Sequence, residues 1–241
     1  MDTPGQLGFF DLTHRYDALT QQGDPLEHLA QHIPWARFRK TLEKNLGRSK
    51  GGRPPFDAIL MFKILVLQAL YNLSDDQTEY QIRDRLSFMR FLGLDLHQRI
   101  PDAKTIWLFR ETLAQAGVVE TLFTQFDTYL AAQGFQARGG QLIDASLIPV
   151  PKQRNTREEN ATVKAGACPT DWEAQPAKRR QKDAEARWTK KHGVSHFGYK
   201  NHVNVDKKHK LIRRYAVTDA AVHDSQVLEE VLQPQTAGRD I

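Results

Sequence analysis

Gln141-Leu142-Ile143-Asp144-Ala145-Ser146-Leu147-Ile148 is the stretch on which the fold turns. Upstream of it, apolar residues recur at helical spacing. Here they become nearly contiguous, with Arg138-Gly139-Gly140 before them and Pro149 and Pro151 after them. That pattern predicts a short strand over 142–150. A single carboxylate, Asp144, sits inside the run. A strand fixes the direction of a side chain, which makes such a carboxylate a good bridging ligand. Magnesium prefers carboxylate oxygens and keeps waters for a phosphate substrate. Two such ions about 4 Å apart activate an attacking oxygen and stabilise a leaving one. An aspartate that merely ends a strand or caps a turn is the plainer alternative, and the residues alone leave both open.

Toward the N-terminus the chain reads as helices. A helix is expected over 25–46. The segment Gly47-Arg48-Ser49-Lys50-Gly51-Gly52-Arg53-Pro54-Pro55 follows as a basic, glycine-rich breaker. It suits either a phosphate backbone or a plain surface linker. Phe56 to Tyr71 is apolar on nearly every side and should be enclosed. Ser74 and Gln77 have the spacing of a capping box, opening a helix that should run to about Arg90. Phe91-Leu92-Gly93-Leu94 makes an apolar turn. Asp102 caps a further helix that Gly117 closes. These capped helices resemble a helix-turn-helix, an arrangement also common in helical cores that touch no DNA. One more helix is expected over 118–133.

Toward the C-terminus, residues 152–195 are poor in aliphatics and rich in charge. They are expected to form a flexible basic loop, with a helix around 178–190. Tyr199 to Val205 and Leu211 to Val217 alternate as a hairpin around Asp206-Lys207-Lys208-His209-Lys210. A helix should follow over 225–232, with Asp224 or Ser225 as its cap. Positive charge is dense on both sides of this region. Residues 178–191 hold seven Lys or Arg against two acids, and residues 199–215 hold six against Asp206 alone. Such cations give sequence-independent affinity for phosphates, or they form a solvated charge run. Lys200 and His202 share a strand face from which they would touch a phosphate or orient a carboxylate. His223-Asp224 is a further pair able to bind metal.

Composition sets outer limits. The 241 residues are 40% hydrophobic and 26% charged, with a formal charge of +5, enough for two folded domains and favourable to anionic partners. The one cysteine, Cys168, excludes an intrachain disulfide and a thiolate zinc cluster. The N-terminus lacks a basic segment ahead of an apolar run, so no secretory signal is read there. The most apolar stretch, 58–70, is shorter than the roughly 20 residues that a bilayer requires. No membrane partner is expected. Trp35, Trp107, Trp172 and Trp188 are scattered and form no stacking platform.

Taken together, several segments are similar to a known family. Gly52-Arg53-Pro54-Pro55-Phe56, Leu73-Ser74-Asp75, Phe88-Met89-Arg90-Phe91-Leu92-Gly93-Leu94 and residues 101–110 (Pro-Asp-Ala-Lys-Thr-Ile-Trp-Leu-Phe-Arg) resemble the helical N-terminal domain of bacterial insertion-sequence transposases of the InsH type. Ile143-Asp144-Ala145-Ser146, Phe197-Gly198-Tyr199-Lys200-Asn201-His202 and residues 217–225 (Val-Thr-Asp-Ala-Ala-Val-His-Asp-Ser) resemble the start of that family's catalytic domain. The resemblance runs in order over almost the whole chain.

It implies an α+β protein. An all-helical DNA-binding domain would span 1–135, and an incomplete ribonuclease H-like α/β domain would span 136–241, with the basic insertion at about 152–195. It also implies DDE chemistry, in which three carboxylates hold two Mg²⁺ or Mn²⁺ ions while DNA strands are cut and joined. Asp144 matches the first acid. Asp224 is a secondary candidate for the second acid, which is otherwise expected near Asp240-Ile241. The reading therefore expects a C-terminally truncated chain, with the glutamate absent as well. Double-stranded DNA, at transposon ends and target, is the implied partner of a bacterial, cytoplasmic, nucleoid-associated homo-oligomer. Arg48, Lys50, Arg53, Lys152, Arg154, Lys200, His202, Lys207, Lys208 and Lys210 are the cations expected on it. Two other readings stay open: an inert binding module, and a metal-dependent nuclease using Asp144 with His223-Asp224.

Overall fold

A computed structural model describes residues 10–46, 54–135 and 140–232. The chain is α+β, with helices first and an antiparallel sheet after them. It divides into two compact units, Met1–Tyr129 and Leu130–Ile241.

The first unit contains α1 (Asp11–Gln21), α2 (Pro25–His32), a 3₁₀ turn (Trp35–Phe38), α3 (Arg39–Asn45), α4 (Ala58–Tyr71), α5 (Asp75–Asp84), α6 (Leu86–Leu92), α7 (Ala103–Gln115) and all but the last turn of α8 (Val118–Ala132). The core forms around α4, whose Ile64 and Leu67 are fully buried against Leu42, Ile82, Phe88 and Ile106. Burial of such side chains stabilises by about 1.5–3 kcal/mol each. Asp57 opens α4 by accepting the Ile59 and Leu60 N–H groups at 2.9 and 3.0 Å. The capping box at Ser74 and Gln77 is present, and Asp102 caps α7 through the Thr105 N–H at 2.7 Å.

Two expected helices are broken. The one expected over 25–46 stops at His32, because Ile33 precedes Pro34 and takes an extended backbone. The chain restarts as the 3₁₀ turn, which turns Trp35 and Phe38 into the core. The helix expected to reach Arg90 ends at Asp84, and Arg85 is extended. The break re-phases the chain, so Phe88, Met89, Phe91 and Leu92 all become buried on a seven-residue α6. The Arg85 guanidinium lies 5.0 and 4.5 Å from the Tyr71 and Phe88 ring centroids and covers the joint. Among the described residues no single helix is long and apolar enough to cross a membrane.

The second unit is built on β1 (Gln141–Pro149), β3 (Val194–Asp206) and β4 (Ile212–Asp219), with β2 (Arg187–Lys191) added at one end and α12 (Asp224–Val231) after them. All pairings are antiparallel. β3 is central, with β1 on one edge and β2 and β4 sharing the other. The predicted strand and hairpin are both present; β1 and β4 fall within two residues of their expected limits, and β3 begins five residues before its own. α12 packs Val227 and Val231 onto Ala216.

The flexible loop expected at 152–195 is instead largely structured. It holds α9 (Arg157–Lys164), α10 (Thr170–Glu173), α11 (Pro176–Arg180) and β2. One carboxylate organises it. Glu159 completes a capping box with Thr156 and accepts the Trp172 indole N–H at 2.7 Å and the Lys178 ammonium at 2.8 Å. These donors, the Lys178 ammonium foremost, hold its carboxyl down at about 2. Trp172 is fully buried. Part of the positive charge expected to face solvent is therefore spent inside the insertion.

Candidate metal and nucleic-acid site

Antiparallel pairing sets which residues share a face, because directly opposed residues point the same way and successive ones alternate. Asp144 opposes Val203, and Ser146 opposes Asn201. Across β3, Val203 opposes Tyr215 and Asn201 opposes Val217. Asp144, Ser146, Asn201, Val203, Tyr215 and Val217 thus share one face. Asp144 is exposed, and its Oδ1 accepts the adjacent Ala145 N–H at 2.8 Å. The Asn201 Oδ1 on this face is buried with no partner among the described residues.

The other face carries Lys200, His202 and Asn204, and it is the face that α12 covers. Asn204 donates to the Val231 carbonyl at 2.6 Å. His202 is 2% exposed and pairs with the Thr218 hydroxyl at 2.9 Å. Lys200 donates to the Val222 carbonyl at 2.7 Å and to Asp224 at 2.9 Å. That hydrogen bond from Lys200 holds the Asp224 carboxyl below its ordinary range. The cap of α12 is His223, whose Nδ1 accepts the Ser225 N–H at 3.3 Å, rather than Asp224 or Ser225.

Two expectations are corrected by the structure. Lys200 and His202 do share a strand face, opposite the face of Asp144, and the carboxylate that Lys200 meets there is Asp224. His202 is enclosed and offers no surface to a phosphate. Asp224 stands on the α12 side, bound to Lys200, and is not brought to Asp144. The joint site of Asp144 with His223-Asp224 is therefore not formed.

Comparison with known families agrees with the division into helices and sheet. Residues 14–112 match the transposase domain DUF772, and residues 136–237 match the transposase DDE domain. The chain belongs to the DDE-type insertion-sequence transposases. No solved structure matches it.

This family places the transposase in DNA transposition, implies DNA as partner and typically uses a divalent metal. Asp144, Ser146 and Asn201 offer hard oxygen donors of the type magnesium takes. Only one of them is a carboxylate, however. Among the described residues no group of three His, Cys, Asp or Glu is placed to hold a metal. This donor set does not amount to a two-ion site.

The other basic candidates of the transposase fall into separate groups. Lys207, Lys208 and Lys210 are exposed at the β3–β4 turn, with no ion pair among the described residues. The turn is held by Asp206, which accepts the His209 N–H at 2.6 Å. Lys152 and Arg154 are exposed beyond β1, and the Lys152 ammonium sits 5.7 Å from the Trp188 ring centroid. Arg48, Lys50 and Arg53 lie outside the described residues. Asn201 was not singled out in the sequence. Its signal is its place one residue from Lys200 on an alternating strand, and it becomes legible only once the register against β1 is known.

Proposed function

We propose that the chain binds double-stranded DNA in transposition, with the helical unit as its DNA-binding domain. In this reading Asp144 supplies the first carboxylate of a metal-assisted site for cutting and joining DNA strands. The observation that carries it is the position of Asp144. It lies within the match to the transposase DDE domain, on the first strand, with its carboxylate exposed on the face that α12 leaves uncovered. The exposed lysines Lys207, Lys208 and Lys210 and the pair Lys152 and Arg154 are the cations of this unit proposed to meet phosphates. The remaining metal ligands are proposed to come from outside the described residues.

The test is a binding and cutting assay with magnesium, using duplex DNA that carries the ends flanking the chain's own coding sequence. Affinity should be unchanged, within about twofold, in Asp144→Asn, because one surface carboxylate adds no phosphate contact. Any strand cutting should be lost in that variant. Cutting that survives Asp144→Asn contradicts the role given to Asp144, and an absence of duplex binding contradicts the reading as a whole.

A further inference from the structure

The segment Arg37-Phe38-Arg39-Lys40-Thr41-Leu42-Glu43-Lys44 sorts its charges onto two sides of a continuous helical run. Leu42 and Phe38 point inward and are buried. On one flank Arg39 is neutralised by Glu43 at 3.1 Å and Asp57 at 2.5 Å. On the other flank Arg37, Lys40 and Lys44 follow one another at spacings of three and four residues, so they form one stripe. All three are exposed. None has an ion pair among the described residues, where the bridges of this segment are confined to Arg39.

The stripe borders a cleft of about 370 Å³. One wall is Lys40, Thr41, Lys44 and Asn45 of α3, and the other includes Gly117 and Thr121 at the start of α8. Among the described residues no acidic one lines it. Gln125, one turn beyond Thr121, donates to the Thr41 hydroxyl at 2.7 Å and clamps the two walls together. The cleft thus combines fixed walls, hydroxyl and amide groups able to bond phosphate oxygens, and positive charge without a counterion.

The first helix of the pair that the sequence likens to a helix-turn-helix has the opposite character. α5 carries Asp75, Asp76, Glu79 and Asp84. Its Arg83 is paired with Glu79 at 2.9 Å, and Arg110 of α7 is paired with Asp75 at 2.7 Å. A phosphate backbone is repelled by a surface of that sign.

We propose that Arg37, Lys40 and Lys44, with the cleft beside them, form a docking surface for the phosphate backbone of double-stranded DNA. The proposal rests on the DNA-binding reading above and assigns the contact to the outer stripe of the 3₁₀ turn and α3 rather than to the α5–α7 pair. Charge complementarity identifies the occupant. Three unpaired cations at helical spacing match a row of phosphates, and each neutralised phosphate releases counterions.

The experiment titrates the full chain into a short random-sequence duplex at salt from about 50 to 200 mM, the range over which such contacts weaken steeply. The triple variant Arg37→Gln, Lys40→Gln, Lys44→Gln should bind about 10- to 100-fold more weakly at the low-salt end. Its slope of log affinity against log salt should be smaller by about 2 to 3. Equal affinity and equal slope in the two proteins overturn the proposal while leaving DNA binding itself intact. Absence of duplex binding by the unaltered chain overturns both. Acetylation of lysines in the unaltered chain gives a readout that needs no variant. DNA should protect Lys40 and Lys44 while Lys104, exposed on α7, stays reactive, and the reverse pattern overturns the assignment.

Discussion

Replacing Arg90 by Met should cost the helical unit about 3 kcal/mol. The guanidinium closes a cluster that joins three helices. It donates to the Tyr16 carbonyl and the Thr20 hydroxyl of α1, each at 2.8 Å. It also pairs with Glu27 of α2 at 2.8 Å and with Asp24, the cap of that helix, at 3.1 Å. The Asp24 side chain is 6% exposed and the Arg90 side chain 18%. Water therefore cannot take over the role of the cation, and its removal leaves Asp24 charged and uncompensated. Asp24 is already committed on its other oxygen, which accepts the Leu26 N–H at 3.0 Å. Urea unfolding followed at Trp35, whose ring meets Phe91 edge-on at 5.6 Å, measures the loss. Adding Asp24→Asn and Glu27→Gln to the Arg90→Met chain should recover part of it, because the penalty is mainly that of stranded carboxylates. A loss below about 1 kcal/mol would place the cluster among solvent-screened surface pairs.

The second large effect is expected at Gly198, in the central strand. Its residue pairs with Pro149 of β1 and with Arg187 of β2, so strands close in from both edges. Its φ of +153° is one that side-chain-bearing residues rarely adopt. A Cβ placed there would overlap the Ile148 carbonyl oxygen and lie 3.1 Å from the Ile148 carbonyl carbon and the Pro149 Cα. These are backbone atoms, which move only if β1 moves. Gly198→Ala should therefore destabilise the sheet unit by about 3 kcal/mol or more. Amide hydrogens of β1, including those near Asp144, should exchange faster as that strand loosens. Unchanged protection along β1 would show that β1 is held independently of this close approach.

What could be read from the sequence follows from how local each signal is. The Ser74–Gln77 box, the Asp102 cap, the stop at Gly117 and the hairpin around Asp206 depend on neighbours within a few residues, and all were legible. The insertion after β1 was not. It is held by the polar contacts of Glu159 with Trp172 and Lys178, which leave no apolar periodicity to find. The interruptions at Pro34 and Arg85 serve the core, since each re-aims large apolar side chains that one uninterrupted helix would have left outside it. The site shows the same division. Asp144 on a strand was legible from the run around it. Its separation from Lys200 and His202 was not, because a shift of one residue in register exchanges the two faces of a strand. Only the pairing of Asp144 with Val203 fixes that.

Paramagnetic broadening by manganese tests the central claim most directly, since it detects even weak occupancy at a single carboxylate. Manganese added to the isotope-labelled chain should broaden resonances most strongly around Asp144, Ser146 and Asn201, with the effect falling off with distance from the Asp144 carboxylate, and should lose this pattern in Asp144→Asn. Broadening centred on His223 and Asp224, or a pattern at Asp144 that persists in the Asn variant, would contradict the account.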